Sequence, residues 1–220
     1  MSIFTIGLLL AVFAARELWI GVRDDDAAQK EYVHLRELSA GEESTPAMGI
    51  FSGVLAEINP DFVGWIFIPG TTINYPVVRG ADNSRYMNAM FSGASNPAGT
   101  IFMDYRCAKG FNAPVSLIYG HNMRNGSMFS PLNKYTDKKF LDNHPEIIIF
   151  TADGERLIYS IIDARRTNAM NSVYSLDFKD TEAAIKYAAS AGARRLLVLS
   201  TCIGAENSVE RLLVFAGLKR

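Results

Sequence analysis

From Gly64 onward the chain is a succession of short apolar runs, each cut off by a turn signal, and this spacing limits the fold more than any other feature. Gly64-Trp65-Ile66-Phe67-Ile68 stops at Pro69-Gly70. Ile73, Tyr75 and Val77 then alternate with their neighbours, as a strand with one buried face requires. Residues 100–103 and 115–119 are two further runs. Residues 147–150 and 157–162 flank Asp153-Gly154, a pair suited to a tight hairpin. Residues 196–199 and 212–215 close the series. Regular alternation of strand and helix is absent, so a doubly wound parallel sheet is not expected. The pattern predicts a mainly β fold, a barrel or sandwich of about eight strands with helical insertions.

Helical periodicity is confined to three stretches. Tyr32, Leu35 and Leu38 form a narrow stripe amid charges, broken at Gly41-Glu42-Glu43-Ser44-Thr45-Pro46. Phe51, Val54, Leu55 and Ile58 follow the i, i+3, i+4, i+7 rule and stop at Asn59-Pro60. Residues 181–191, rich in Ala with Ile185 and Tyr187, make a third helix between the sixth and seventh strands.

The N-terminus is of a different kind. Residues 3–15 are almost unbroken apolar sequence, followed by Arg16-Glu17 and then Leu18-Trp19-Ile20. A spanning helix takes about 20 apolar residues, and this run is shorter. No Lys or Arg precedes it, unlike the charged start of a secretory signal. Three readings compete: a membrane anchor lacking its first residues, a cleaved signal, and a buried helix. The acidic stretch Arg23-Asp24-Asp25-Asp26 that follows at once favours the anchor.

A chain of 220 residues with 49% hydrophobic residues can bury a core without help from disulfides or metal. A formal net charge of -1 gives no electrostatic footprint for nucleic acid. The two cysteines, Cys107 and Cys202, lack metal-type spacing, and the three histidines are scattered. No metal or cofactor site is expected.

Three residues carry candidate chemistry. Cys202 follows an apolar strand and precedes Ile203-Gly204, which would hold a thiol rigidly yet expose it, as a nucleophile requires. His121 lies just past another apolar strand at Gly120, where an imidazole can serve as acid or base. Arg211 heads the last strand, and its planar fork can donate to an oxygen that becomes negative during acyl transfer. Taken singly, each has a plain alternative: a core cysteine, a loop histidine, a solvated edge charge.

The three together, in order, resemble the signatures of the sortase family. These are Tyr119-Gly120-His121, Leu199-Ser200-Thr201-Cys202 and the Arg211-headed strand, with Val198 where Thr is usual. Val63-Gly64-Trp65-Ile66, Ile73-Asn74-Tyr75-Pro76-Val77-Val78, Phe102-Met103-Asp104-Tyr105-Arg106 and Met128-Phe129 are similar to class B sortase sequence, as is the extra helix near 181–191. The resemblance covers about residues 30–220; Cys107 stands where class B members often have Asn.

The resemblance implies a closed sortase-type β-barrel with N-terminal helices. It divides the chain into an anchor or signal-like segment (1–26), a helix and linker (27–46) and a catalytic barrel (47–220). It implies a cysteine transpeptidase that cleaves a sorting-signal peptide of a secreted protein after Thr. The Thr would be joined to an amine of a peptidoglycan precursor through a thioester on Cys202, with His121 as acid and base and Arg211 on the substrate carbonyl or backbone. Asn83, Met87, Val173, Tyr174 and Ser200 become candidate peptide contacts, and the loop from about Arg166 to Leu176 a wall of the pocket. No cofactor is implied. The location implied is the cell membrane, crossed once, with the catalytic domain outside. Alternatives are a pilus-polymerising sortase, a hydrolytic cysteine peptidase, and a non-enzymatic surface domain with a Cys107–Cys202 disulfide.

Overall fold

The computed structural model describes residues 3–39, 48–178, 180–203 and 208–219. The break expected at Gly41 to Pro46 and the glycine after the candidate nucleophile, Gly204, lie outside the described residues. Two helices lead the chain, α1 (Ile3–Ser39) and α2 (Met48–Ile58). The eight strands are β1 (Phe62–Phe67), β2 (Asn74–Val78), β3 (Ile101–Met103), β4 (Val115–Tyr119), β5 (Glu146–Thr151), β6 (Arg156–Asn168), β7 (Leu196–Cys202) and β8 (Glu210–Leu218). A short helix, α3 (Lys138–Asn143), precedes β5, and α4 (Thr181–Ser190) lies between β6 and β7.

The strands close into a barrel in the order β1-β2-β3-β4-β7-β8-β6-β5. Two neighbours run parallel, β2 with β3 and β4 with β7, and the other pairs are antiparallel. Closure removes both sheet edges. The strands are buried on both faces, since consecutive side chains point to opposite sides: Trp65, Ile66, Val77, Leu117, Ile149, Leu197, Leu199 and Val214 are fully buried. The turn at Asp153-Gly154 closes the β5–β6 pair with Gly154 at φ +92, a left-handed conformation open to glycine.

Strand β6 is about twice as long as its apolar pattern suggests. Its second half, Asp163 to Asn168, pairs with Phe215 through Glu210 of β8 beyond a bulge at Ile161/Asp163. Backbone hydrogen bonds to β8, rather than hydrophobic side chains, keep these polar residues extended. The loop expected from Arg166 therefore begins inside a strand.

α1 docks on the barrel by its C-terminal half alone. Ala28, Tyr32 and Leu35 are buried, and the Tyr32 ring meets Tyr75 edge-on at 5.2 Å. The Tyr32 hydroxyl donates to the Gly99 carbonyl, and the Glu31 carboxylate accepts from the Ser92 amide (2.9 Å) and hydroxyl (2.6 Å). The N-terminal half exposes Leu9, Leu10, Val12, Phe13, Trp19 and Val22. Among the described residues no helix is long and apolar enough to cross a membrane.

Candidate active site

Topology decides which strand ends meet. Because β4 and β7 are parallel, their C-terminal ends lie side by side, in the register Tyr119↔Ser200. Because β7 and β8 are antiparallel, the end of β7 faces the start of β8, in the register Cys202↔Arg211. His121 follows β4 by two residues. The three candidate chemical residues thus gather on one rim of the barrel, although 81 positions separate His121 from Cys202.

They line one cavity of about 340 Å³. Of the expected peptide contacts, Asn83, Met87, Tyr174 and Ser200 line it as well. Val173 does not: it is fully buried and belongs to the core. Phe102, Tyr119, Gly120, Ala169 and Thr201 complete the lining. Thr201 Oγ1 is buried and has no hydrogen-bond partner among the described residues.

Gly120 is required where it stands. A Cβ there would lie 2.5 Å from Ile101 Cδ1 and 2.6 Å from Phe129 Cδ2, both on fully buried side chains, so a larger residue would displace the core behind His121. The His121 ring is fixed by its Nε2, 2.6 Å from the Met87 carbonyl oxygen. A carbonyl only accepts, so Nε2 carries the proton of that bond, and Nδ1 has no hydrogen-bond partner among the described residues. Arg211 is held at one corner: its Nη1 donates to the Ser208 carbonyl and to the Glu210 carbonyl (2.9 Å). Its Nε–H and Nη2–H groups have no hydrogen-bond partner among the described residues. Cys202 is partly exposed, whereas Cys107 is buried and its thiol is pushed up to about 12 by burial. Both cysteines are free, so the disulfide-bonded reading does not hold.

Behind the aromatic wall sits a buried carboxylate. Asp104 is completely buried and accepts from Arg106 Nη2 (2.8 Å) and Nε (2.9 Å), Tyr119 OH (2.8 Å) and Asn83 Nδ2 (3.1 Å). Burial pushes its pKa up, but the hydrogen bonds from Arg106 and Tyr119 and the guanidinium charge outweigh burial and hold it below the usual carboxylate range. Arg106 Nη1 reaches on to the Tyr174 carbonyl (2.9 Å). The Tyr174 ring stacks on Tyr119 at 6.3 Å, and its hydroxyl lies 2.7 Å from Ser200 Oγ. Asp104 and Arg106 fall in the stretch 102–106 on which the class B resemblance partly rests, yet the sequence gives them no role, since an Asp at a strand end reads as a solvated turn residue.

A closed eight-stranded barrel with a cysteine, a histidine and an arginine gathered on one rim is the architecture of a sortase. The chain belongs to that family: the Sortase domain family matches residues 66–219. It is similar to sortase B of Listeria monocytogenes, 45% identical over 91 residues, which are 41% of this chain and 37% of that protein. It is similar to sortase B of Staphylococcus aureus, 32% identical over 128 residues, 58% of this chain and 52% of that protein. The matched stretches therefore span about half or less of these two curated relatives. Solved structures extend the likeness. The Staphylococcus aureus sortase B–substrate complex superposes with a TM-score of 0.75 at 26% identity, covering 90% of this chain and 99% of that one. A sortase B complexed with triglycine gives 0.76 at 25% identity, covering 89% and 99%.

Proposed function

We propose that the chain is a cysteine transpeptidase that cuts a sorting-signal peptide after Thr and joins the Thr to an amine of a peptidoglycan precursor. One observation carries the reading: Cys202 faces Arg211 across the β7–β8 ladder and shares a single cavity with His121. In the first half-reaction the Cys202 thiolate attacks the Thr carbonyl carbon. The carbonyl oxygen becomes negative and takes hydrogen bonds from the free N–H groups of Arg211. Protonated His121 gives its proton to the departing amine as the C–N bond breaks, leaving a thioester and a neutral imidazole. In the second half-reaction the acceptor amine attacks the thioester, His121 takes its proton, and Cys202 leaves as thiolate.

Asn83, Met87, Tyr174 and Ser200 contact the signal peptide along the cavity. Val173, being buried, supports the Tyr174 turn from behind instead of touching peptide. Substrate and triglycine complexes of sortase B structures that superpose on this chain support a peptide donor and an amine acceptor. The chain acts at the outer face of the cell membrane, held there by its N-terminal helix, where wall precursors are presented.

The test is mass spectrometry of the protein incubated with a panel of Thr-containing sorting-signal pentapeptides, with and without triglycine or a diaminopimelate-type amine. The expected result is a thioester adduct on Cys202, absent in Cys202→Ala, that resolves into an amine-linked product. Adduct followed by hydrolysis alone, with every amine present, would make the chain a peptidase. An unreactive Cys202 with no adduct would sink the acyl-transfer reading.

A further inference from the structure

The β4–β7 ladder ends in an unusual way. Its last backbone rung runs from the Gly120 amide to the Ser200 carbonyl at 3.1 Å. In a parallel ladder the next rung of that series would run from the residue 122 amide to the residue 202 carbonyl. The Asn122 side chain makes that bond in its place, Nδ2 donating to the Cys202 carbonyl at 3.0 Å. The Asn122 backbone is thereby freed to bridge Met128 across the next turn, where Met128 takes φ +54, a left-handed conformation rare outside glycine.

The orientation of the Asn122 amide is fixed by a second amide. Asn133 Nδ2 donates to Asn122 Oδ1 (2.9 Å) and to the Ser130 carbonyl (3.0 Å), which leaves Asn122 Nδ2 as the end that faces Cys202. On its other flank Cys202 is held by β8, paired with Arg211 and followed by the Ile203 amide to Glu210 carbonyl bond (3.0 Å). Asn122 adjoins His121 in sequence, so one short side chain ties the segment bearing the imidazole to the residue bearing the thiol.

We propose that Asn122, oriented by Asn133, is a positioning residue that sets the separation of Cys202 and His121; this rests on the acyl-transfer reading above. The bond stands in for a rung of sheet, so it is stiff, yet it spares the backbone of residues 121–122 from running on as a strand. The amine that takes a proton from His121 is bonded to the carbon that Cys202 attacks, so thiolate and imidazolium must reach one reacting centre together, and small displacements cost large factors in rate. Loss of the tie therefore acts on the chemical step rather than on peptide binding.

The experiment compares wild type with Asn122→Ala, Asn122→Asp, Asn122→Gln, Asn133→Ala and the double variant Asn122→Ala/Asn133→Ala. Three readouts are taken: kcat and KM with a pentapeptide that wild type turns over, the pH dependence of Cys202 alkylation by iodoacetamide, and Tm. Asn122→Ala and Asn122→Asp are expected to lower kcat about tenfold or more, to leave KM within about twofold, and to change the alkylation pH profile. Asn122→Gln, which keeps the donor, recovers part of kcat. Asn133→Ala shows a smaller loss of the same kind and adds nothing on top of Asn122→Ala, because the two act in series. A lowered Tm with wild-type kcat and a wild-type alkylation profile would overturn the proposal and leave Asn122 a purely structural residue. If wild type turns over no peptide, the acyl-transfer reading fails by itself. The alkylation profiles then still decide whether Asn122 controls the environment of Cys202.

Discussion

Asp104 shows how one residue can govern a pocket it does not line. Its carboxylate gathers Asn83, Tyr119 and Arg106, and through Arg106 it reaches the Tyr174 backbone. Three of these four line the cavity. Removing one partner of a buried ion pair costs about 3–5 kcal/mol; the Arg106 side chain is 30% exposed, so Asp104→Ala belongs at the lower end. The pH dependence is more telling. The folded carboxyl titrates below its ordinary value, so its contribution is complete above the unfolded Asp value of about 3.9 and is lost as pH falls through the folded value. Urea midpoints of wild type and Asp104→Asn should therefore differ most at neutral pH and converge below about pH 4. A constant gap across that range would show that Asp104 is not charged in the fold. Cys202, His121 and Arg211 were legible as candidates because each ends or begins an apolar run. Asp104 was not, because its partners lie 2, 15, 21 and, through Arg106, 70 positions away along the chain.

At the scale of elements, the 3₁₀ turn Ser172–Ser175, which carries Tyr174 into the pocket wall, is pinned. Asn171 caps it by accepting from the Val173 amide (3.1 Å), Val173 fills the core behind it, and Arg106 holds the Tyr174 carbonyl. The Tyr174 ring is thus presented rigidly, stacked on Tyr119, and burial raises the pKa of its hydroxyl. Tyr174→Phe keeps the ring and loses only the Ser200 bond, a change of about 1 kcal/mol in stability. It should leave peptide KM within about threefold, whereas Tyr174→Ala should raise KM about tenfold, equivalent to about 1.4 kcal/mol of lost contact. An unchanged KM in Tyr174→Ala would remove this residue from the binding surface. The elements themselves were readable wherever side chains carry the signal: all eight strands sit on the apolar runs, and α4 on its Ala-rich stretch. The polar half of β6 was hidden, because its strand character comes from pairing with β8. In α4 the buried face is Ala184 and Ala188, while the larger Ile185 is exposed, so size was a poor guide to which side packs.

At the scale of the whole molecule, α1 divides into a docked part and an exposed part. Its C-terminal half is bound to the barrel from Asp24 onward, where the Asp24 carbonyl accepts from Asn96 Nδ2 at 2.8 Å. Its N-terminal half leaves a continuous set of large apolar side chains uncovered, Leu9, Leu10, Phe13 and Trp19 each about 60% exposed. Apolar surface of that extent marks an interaction site rather than scattered exposure. The charges nearby are Arg16, Glu17, Arg23 and the acidic run Asp24 to Asp26, a net negative set that anionic lipid would not attract. Apolar burial, not charge, must then supply any affinity for a bilayer. The full chain should co-sediment with zwitterionic phosphatidylcholine vesicles as well as with anionic ones, and should stay bound in about 1 M salt, where the screening length falls to about 3 Å. Deleting residues 1–20 should release it to the supernatant while leaving Tm nearly unchanged, since the docked residues begin beyond the cut. Binding confined to anionic vesicles and abolished by salt would assign the attachment to basic residues elsewhere. A full chain that stays in the supernatant would remove the membrane from the account of this helix.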